Sequence, residues 1–229
     1  MKAFAQRRPA WVSSHRLIPT RFPTVGLFDE IADPEDLDIV FAIEALTNER
    51  IRQELGRISL VPPKERVTGS GATLIMAPFV HLSPSGSRFT DGSFGVYYCA
   101  NTIETAIAEV SHHRAIFMAS TAEPPLDLDH TWIRADIVAP LHDVRKVPRS
   151  LTNIYSLTSY AASQAFGTTM RSGGSNGLWY RGVMRTEGEC AAIFRPNNLA
   201  RARNAGFVTL VWDGTRIAQS YRKSTPGGV

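Results

Sequence analysis

The chain has 229 residues, and 43% of them are hydrophobic against 20% charged. At that length a folded chain buries roughly 70% of its extended surface, so one real core forms and wholesale disorder is excluded. With 25 basic and 21 acidic residues the net charge is +4, which is compatible with an anionic ligand but far too weak for direct nucleic-acid binding.

Nearly all the positive charge is arginine, since lysine occurs only at Lys2, Lys64, Lys146 and Lys223. A planar guanidinium suits phosphate and carboxylate, so each arginine is judged by its context. Two cysteines, Cys99 and Cys190, read as small buried hydrophobes of a reducing compartment. No stretch approaches twenty apolar residues, and Arg7, Arg8 and Arg16 interrupt the N-terminal region. The expectation is therefore a cytoplasmic protein with no membrane span.

Along the chain, residues 22–28 form a Pro- and Gly-punctuated loop. Asp33 with Pro34 reads as a helix start, and apolar residues from Leu37 to Leu55 recur at helical spacing, predicting one or two helices over 34–55. An apolar run over 71–82 is expected to break at Pro78. A polar loop over 83–92 leads into a strand over 95–100. Asn101 or Thr102 can cap the following helix, which runs through Glu104 to Arg114. Later strands are predicted at 131–139, 189–194 and 207–212, with a helix over 158–166 ending near Gly167. Strands and helices alternate without a regular βαβ cadence, which favours an α+β fold. Three stretches follow: 1–65 as an N-terminal extension with its helical region packed on the core, 66–220 as the core, and 221–229 as a flexible tail.

Chemistry concentrates between Gly86 and Arg114. Arg88 sits in a Gly-bounded loop, Tyr97 and Tyr98 lie in the strand, and Glu109 is at the centre of the helix. Neighbouring strand residues face opposite ways, so only one tyrosine can face a pocket. A glutamate among apolar neighbours is costly unless partnered. Arg88 could hold a pyrophosphate while Glu109 orients a ribose hydroxyl or stabilises an oxocarbenium-like centre. Equally, Glu109 could pair structurally with Arg88 or Arg114. The segment from Gly173 to Arg185 begins as a Gly-rich loop and becomes strand-like, but matches neither a P-loop nor a dinucleotide fingerprint. His112 and His113 are adjacent and diverge on a helix, so no metal site is expected.

Taken in order, the segments His15–Pro19, Leu46–Arg50, Gly86–Tyr98, Glu104–Arg114, Ser163–Gly167 and Gly188–Pro196 resemble the RES-domain family of bacterial toxin–antitoxin toxins over about 15–218. The resemblance implies an ADP-ribosyltransferase-like split mixed sheet with flanking helices. It implies NAD⁺ as substrate without a metal, and cleavage of the nicotinamide–ribose bond. It places the family's Arg on Arg88, its Glu on Glu109, its upstream Arg on Arg16 and its pocket Tyr on Tyr98. The family's Ser falls on Gly182, and a further Arg falls on Met184. Three explanations stand for that departure: weakened activity, a substitute hydroxyl such as Ser172 or Ser175, or a different acceptor. A glycine amide can still meet phosphate, so Ser175 and Gly182 join Arg16, Arg88 and Tyr98 as expected NAD⁺-binding residues. Arg88, Glu109 and Tyr98 are the expected catalytic ones.

The longer branch of the family includes a member that modifies phosphoribosyl-pyrophosphate synthetase, so ADP-ribosyl transfer to a protein comes first. NAD⁺ hydrolysis or phosphorolysis follows, and a non-catalytic NAD⁺-binding relative is third. A cognate antitoxin blocking the site and homodimer formation are further implications of the resemblance.

Overall fold

The computed structural model describes residues 4–20, 29 and 57–223. The expected loop over 22–28, the helical region over 34–55 and the end of the tail over 224–229 lie outside them.

Period-two alternation organises the centre of the molecule. In β3 (Tyr97–Ala100), β6 (Gly177–Arg181) and β7 (Glu189–Ile193), Tyr97, Cys99, Trp179, Ala191 and Ile193 enter one core. Tyr98, Ala100, Leu178, Tyr180, Cys190 and Ala192 enter a second core on the other face. Both faces are therefore apolar and both are covered. Helix α1 (Ala72–Val80) packs on the first face, and α2 (Ile103–Thr121) with α3 (Ala161–Ser172) packs on the second.

Six more strands complete one nine-stranded sheet: β1 (Gln6–Arg7), β2 (Ser14–Pro19), β4 (Leu126–Ile137), β5 (Leu141–Asp143), β8 (Leu199–Trp212) and β9 (Ile217–Lys223). The order is β1-β5-β6-β7-β3-β2-β4-β8-β9, antiparallel throughout except for β5 beside β6. The fold is α+β with a mixed sheet. β2 comes from the stretch read as an N-terminal extension, yet it lies in the sheet interior, paired with β4 from Ser14 to Pro19.

The sheet nearly divides at its middle. β2 and β3 share a single registered pair, His15 with Ala100. Arg16, the next residue of β2, bridges the gap by donating from Nη1 to the Tyr98 carbonyl at 2.9 Å, with its guanidinium 4.7 Å from the Tyr97 ring centre.

Several expected boundaries move, each for a local reason. Pro78 does not break the apolar run, because it sits in the last turn of α1 and the helix buries six of its nine residues. Gly167 does not end α3; the helix passes through it because any Cβ there would collide with the Phe89 carbonyl. Thr102 is the cap of α2, its Oγ1 accepting the Thr105 N–H at 3.2 Å, but the helix runs to Thr121 rather than Arg114. β4 and β8 extend well beyond the expected strands because they pair along most of their length, through bulges. Residues 221–223, expected in the tail, belong to β9 and pair with β8.

Candidate functional site

Arg88 is delivered by a closed turn. Ser87 and Thr90 form an isolated bridge, with the Ser87 N–H on the Thr90 carbonyl at 2.7 Å. Gly86 enters the turn at φ 68°, in the left-handed region where a side chain would also strike Thr90. The turn is pinned from the strand behind it. The Tyr98 hydroxyl accepts the Phe89 N–H at 2.9 Å and lies 2.8 Å from Ser87 Oγ. Burial pushes that phenol up to about 12, so it stays protonated at neutral pH. Gln164 of α3 donates to the Ser87 carbonyl at 3.2 Å. Phe89 is fully buried edge-on against Tyr180, ring centres 5.0 Å apart.

The Arg88 side chain is only 6% exposed. Its Nη1 donates to the Ile154 and Ser156 carbonyls at 3.2 and 2.9 Å, at the end of the 3₁₀ segment Arg149–Tyr155. The guanidinium carbon lies 4.8 Å from the Tyr160 ring centre. Nε and Nη2 make no hydrogen bond among the described residues.

Glu109 approaches from α2. No ion pair joins it to Arg88 or any other arginine among the described residues, so the pairing expected as one alternative is absent there. Its Oε1 instead accepts two backbone amides, Val183 at 2.6 Å and Met184 at 2.9 Å. These belong to the loop that follows β6, closed by the Gly182 N–H on the Gly188 carbonyl at 2.6 Å. Gly182 lies directly against the carboxylate: a Cβ there would stand 3.3 Å from Glu109 Oε1. Gly188 allows the loop to press onto Thr105 of α2, where a Cβ would come to 2.8 Å from the threonine methyl.

Tyr180 feels both charged groups. Burial raises its phenol well above the ordinary value, Cys190 and Glu109 raise it further, and Arg88 opposes them. A carboxylate with one oxygen tied to amides and a guanidinium tied at one nitrogen thus stand on the same side of the sheet, near enough for both to act on Tyr180. Two opposite charges so placed suit a ligand that is anionic at one end and develops positive charge at the other.

Arg88, Glu109, Tyr98 and Gly182 thus come together. Arg16 and Ser175 do not join them. Alternation sets Arg16 on the α1 face with Tyr97 and Cys99, and burial lowers its pKa. Ser175 precedes β6 at the end remote from Gly182, where its Oγ donates to the Gly177 carbonyl at 3.1 Å and lies 2.7 Å from His142 Nδ1. Sequence reasoning missed Tyr160, Tyr180 and His113. Tyr180 was legible in principle, since it shares the face of Leu178 by strand alternation. His113 follows Glu109 by four residues on one helix face. Nothing in the sequence announces Tyr160, which reaches Arg88 only through the tertiary fold.

Among the described residues no group of three metal-ligating side chains occurs, and no helix is long and apolar enough to cross a membrane.

A family model described as the RES domain matches residues 64–213. The chain is 30% identical over 207 residues to protein y4oC of Sinorhizobium fredii (strain NBRC 101917 / NGR234), itself uncharacterised, covering 90% of this chain and 86% of that protein. Among solved structures it is similar to a chain in the M. tuberculosis MbcT-MbcA toxin-antitoxin complex, with a TM-score of 0.42 and 10% identity over 88% of this chain and 85% of that one. The family model spans well over half of the chain, including Arg88, Tyr98, Glu109 and Gly182, and the chain belongs to the RES domain family.

Proposed function

We propose that this protein is the toxin of a toxin–antitoxin pair, that it cleaves the nicotinamide–ribose bond of NAD⁺, and that it transfers ADP-ribose to a protein acceptor. The observation that carries this reading is the state of Glu109. It is a carboxylate without an ion-pair partner among the described residues, held by two amides on one oxygen and near enough to Arg88 for both to act on Tyr180. Bond cleavage leaves positive charge on the ribose carbon, and a fixed carboxylate stabilises that charge more than it stabilises the substrate. Arg88 offers Nε and Nη2 to the pyrophosphate, Tyr98 holds the Arg88 turn, and the neutral phenol of Tyr180 closes the cleft floor.

Arg16 and Ser175, expected to bind NAD⁺ from the resemblance, act in this reading as supports for the sheet rather than as ligands. Gly182 contributes its backbone beside Glu109. Family membership supports NAD⁺ as substrate with no metal, a cognate antitoxin that covers the cleft, and a cytoplasmic site of action. The two free buried thiols fit a reducing compartment. Phosphoribosyl-pyrophosphate synthetase is the acceptor class the longer branch suggests, and a homodimer is the assembly the family suggests.

Hydrolysis or phosphorolysis of NAD⁺ is the second reading. Gly182 favours protein transfer over it, because the hydroxyl that relatives carry there is missing beside the carboxylate. NAD⁺ labelled on its adenylate half tests both readings together. Incubated in buffer, then with phosphate, then with antitoxin-free lysate, the protein is expected to release nicotinamide slowly until lysate is added, with label then retained on one protein band. Placement of a docked nucleophile is worth several kcal/mol. Fast release in buffer with free ADP-ribose and no labelled band would replace transfer by depletion. No nicotinamide under any condition would remove the catalytic reading.

A further inference from the structure

Cleaving the bond is only half of a transfer. Nicotinamide leaves with the bonding electron pair as a neutral base and needs no proton. The acceptor, whether a hydroxyl, a water or an amide, must lose one as its heteroatom bonds to the ribose carbon. Glu109 is poorly placed for that duty, since Oε1 is tied to two amides and the carboxylate must stay negative while the ribose is cationic.

One turn along α2, on the same face as Glu109, stands His113. Its ring makes an edge contact with Tyr160, centres 6.4 Å apart, and the Tyr160 ring lies 4.8 Å from the Arg88 guanidinium. Imidazole, carboxylate and guanidinium therefore lie near enough to act on one another electrostatically. Unlike the other two, His113 is exposed at the surface, where an acceptor can reach it. The other histidines with described side-chain bonds are committed elsewhere: His15 accepts from and stacks on Trp132, His130 is buried on the Leu128 carbonyl, and His142 pairs with Ser175 and Gln6.

We propose that His113 is the general base of the acceptor step. It takes the proton from the attacking O–H or N–H as the new bond to the ribose carbon forms, and returns it to solvent. This rests on the NAD⁺-cleaving reading above. The surroundings favour the free base at neutral pH. Partial burial lowers the His113 pKa first, then His112 on α2; Glu109 opposes this, and Arg88 from the loop and Arg114 on α2 lower it further. Tyr160 contributes an aromatic ring against the imidazole.

The test is the steady-state rate of nicotinamide release from NAD⁺ over many turnovers, which requires the acceptor step to be completed each time, with water as acceptor, between pH 5 and 9. Wild-type turnover is expected to fall on the acid side as His113 takes up a proton. His113→Gln is expected to lower kcat about 10²–10⁴-fold, leave KM unchanged and abolish the acid limb. His113→Ala is expected to regain part of its rate when free imidazole is added, which a merely structural histidine would not allow. A folded His113→Gln that keeps kcat and the acid limb overturns the proposal, as does an impaired His113→Ala that imidazole leaves unchanged. A wild-type protein that releases no nicotinamide in buffer, with phosphate or with lysate overturns the NAD⁺ reading itself. An active wild type with an unaffected His113→Gln defeats the base alone.

Discussion

Two glutamates, one at the edge of each core, show how differently this fold treats a carboxylate. Glu189 begins β7 on the α1 side and is saturated. Its Oε2 accepts the indole N–H of Trp11 at 3.0 Å and of Trp179 at 3.3 Å, and its Oε1 pairs with Arg145 at 2.5 Å. Arg145 also pairs with Asp143 at 2.8 Å and lies 3.4 Å from the Trp179 ring centre. Among the described residues Glu109 has only two backbone amides, both on one oxygen. A carboxylate surrounded by donors holds strands together; one with an oxygen to spare keeps its charge available for something that arrives later.

The largest expected effect breaks the open member of the pair. In Glu109→Gln the amide oxygen still accepts from Val183 and Met184, so the fold persists while the negative charge is lost. Nicotinamide release should fall by about 10²–10³-fold with NAD⁺ affinity nearly unchanged, comparable to removing one transition-state contact. Equal small losses in rate and affinity would make Glu109 a structural residue like Glu189.

The converse substitution is Glu189→Ala. Three side-chain donors lose their acceptor, each in a partly buried setting, so the expected cost is about 1–3 kcal/mol. For a chain of this size that lowers Tm by about 2–12 °C. Nicotinamide release per folded molecule should stay unchanged. A variant with normal Tm and impaired release would invert the comparison.

Gly182→Ser sharpens it from the other side. Gly182 is not in the left-handed region, so serine meets no φ penalty there. Its Cβ would be tight, 3.1 Å from the Gly188 carbonyl oxygen and 3.3 Å from Glu109 Oε1. The fold should persist with a Tm lowered by a few degrees, about 1 kcal/mol. Nicotinamide release should rise, because a hydroxyl returns beside the carboxylate. A stable variant with unchanged release would separate Gly182 from the chemistry.

The smallest effect belongs to acid. Arg145 holds the Asp143 carboxyl below its ordinary value through its side-chain hydrogen bond. A depressed carboxylate contributes stability above its unfolded value near 4, and loses it as pH falls through the lower folded value. Thermal melts between pH 5 and 2.5 should therefore show a decline that Asp143→Asn flattens.

Much of this was legible in the sequence. A helix start capped at Asn101 or Thr102, the strand with its two opposed tyrosines and the central position of Glu109 all follow from periodicity and capping. What sequence reasoning lost was set by contacts distant along the chain. Gly167 looks like a helix stop until Phe89 is seen pressed against it. Glu109 invites an arginine, but its partners are amides more than seventy residues away, and a backbone N–H has no signature. Arg16 matches a family position, yet no single-strand pattern tells which face of the sheet β2 will present. β1 and β5 are too short, and β9 too exposed, to stand out from loops.

The interior position of β2 sets a timetable for biosynthesis. Ser14 reaches the Ala135 carbonyl across 121 residues of chain. At about 5–20 residues per second, translation takes roughly 6–24 s to supply that partner. Until then β2 has no β4 to pair with, so the ladder forms by a long-range closure of the kind that slows folding. The amides that steady Glu109 are made later still, at residues 183 and 184. A ribosome stalled before that point carries a chain whose Glu109 carboxylate is not yet held by its amides.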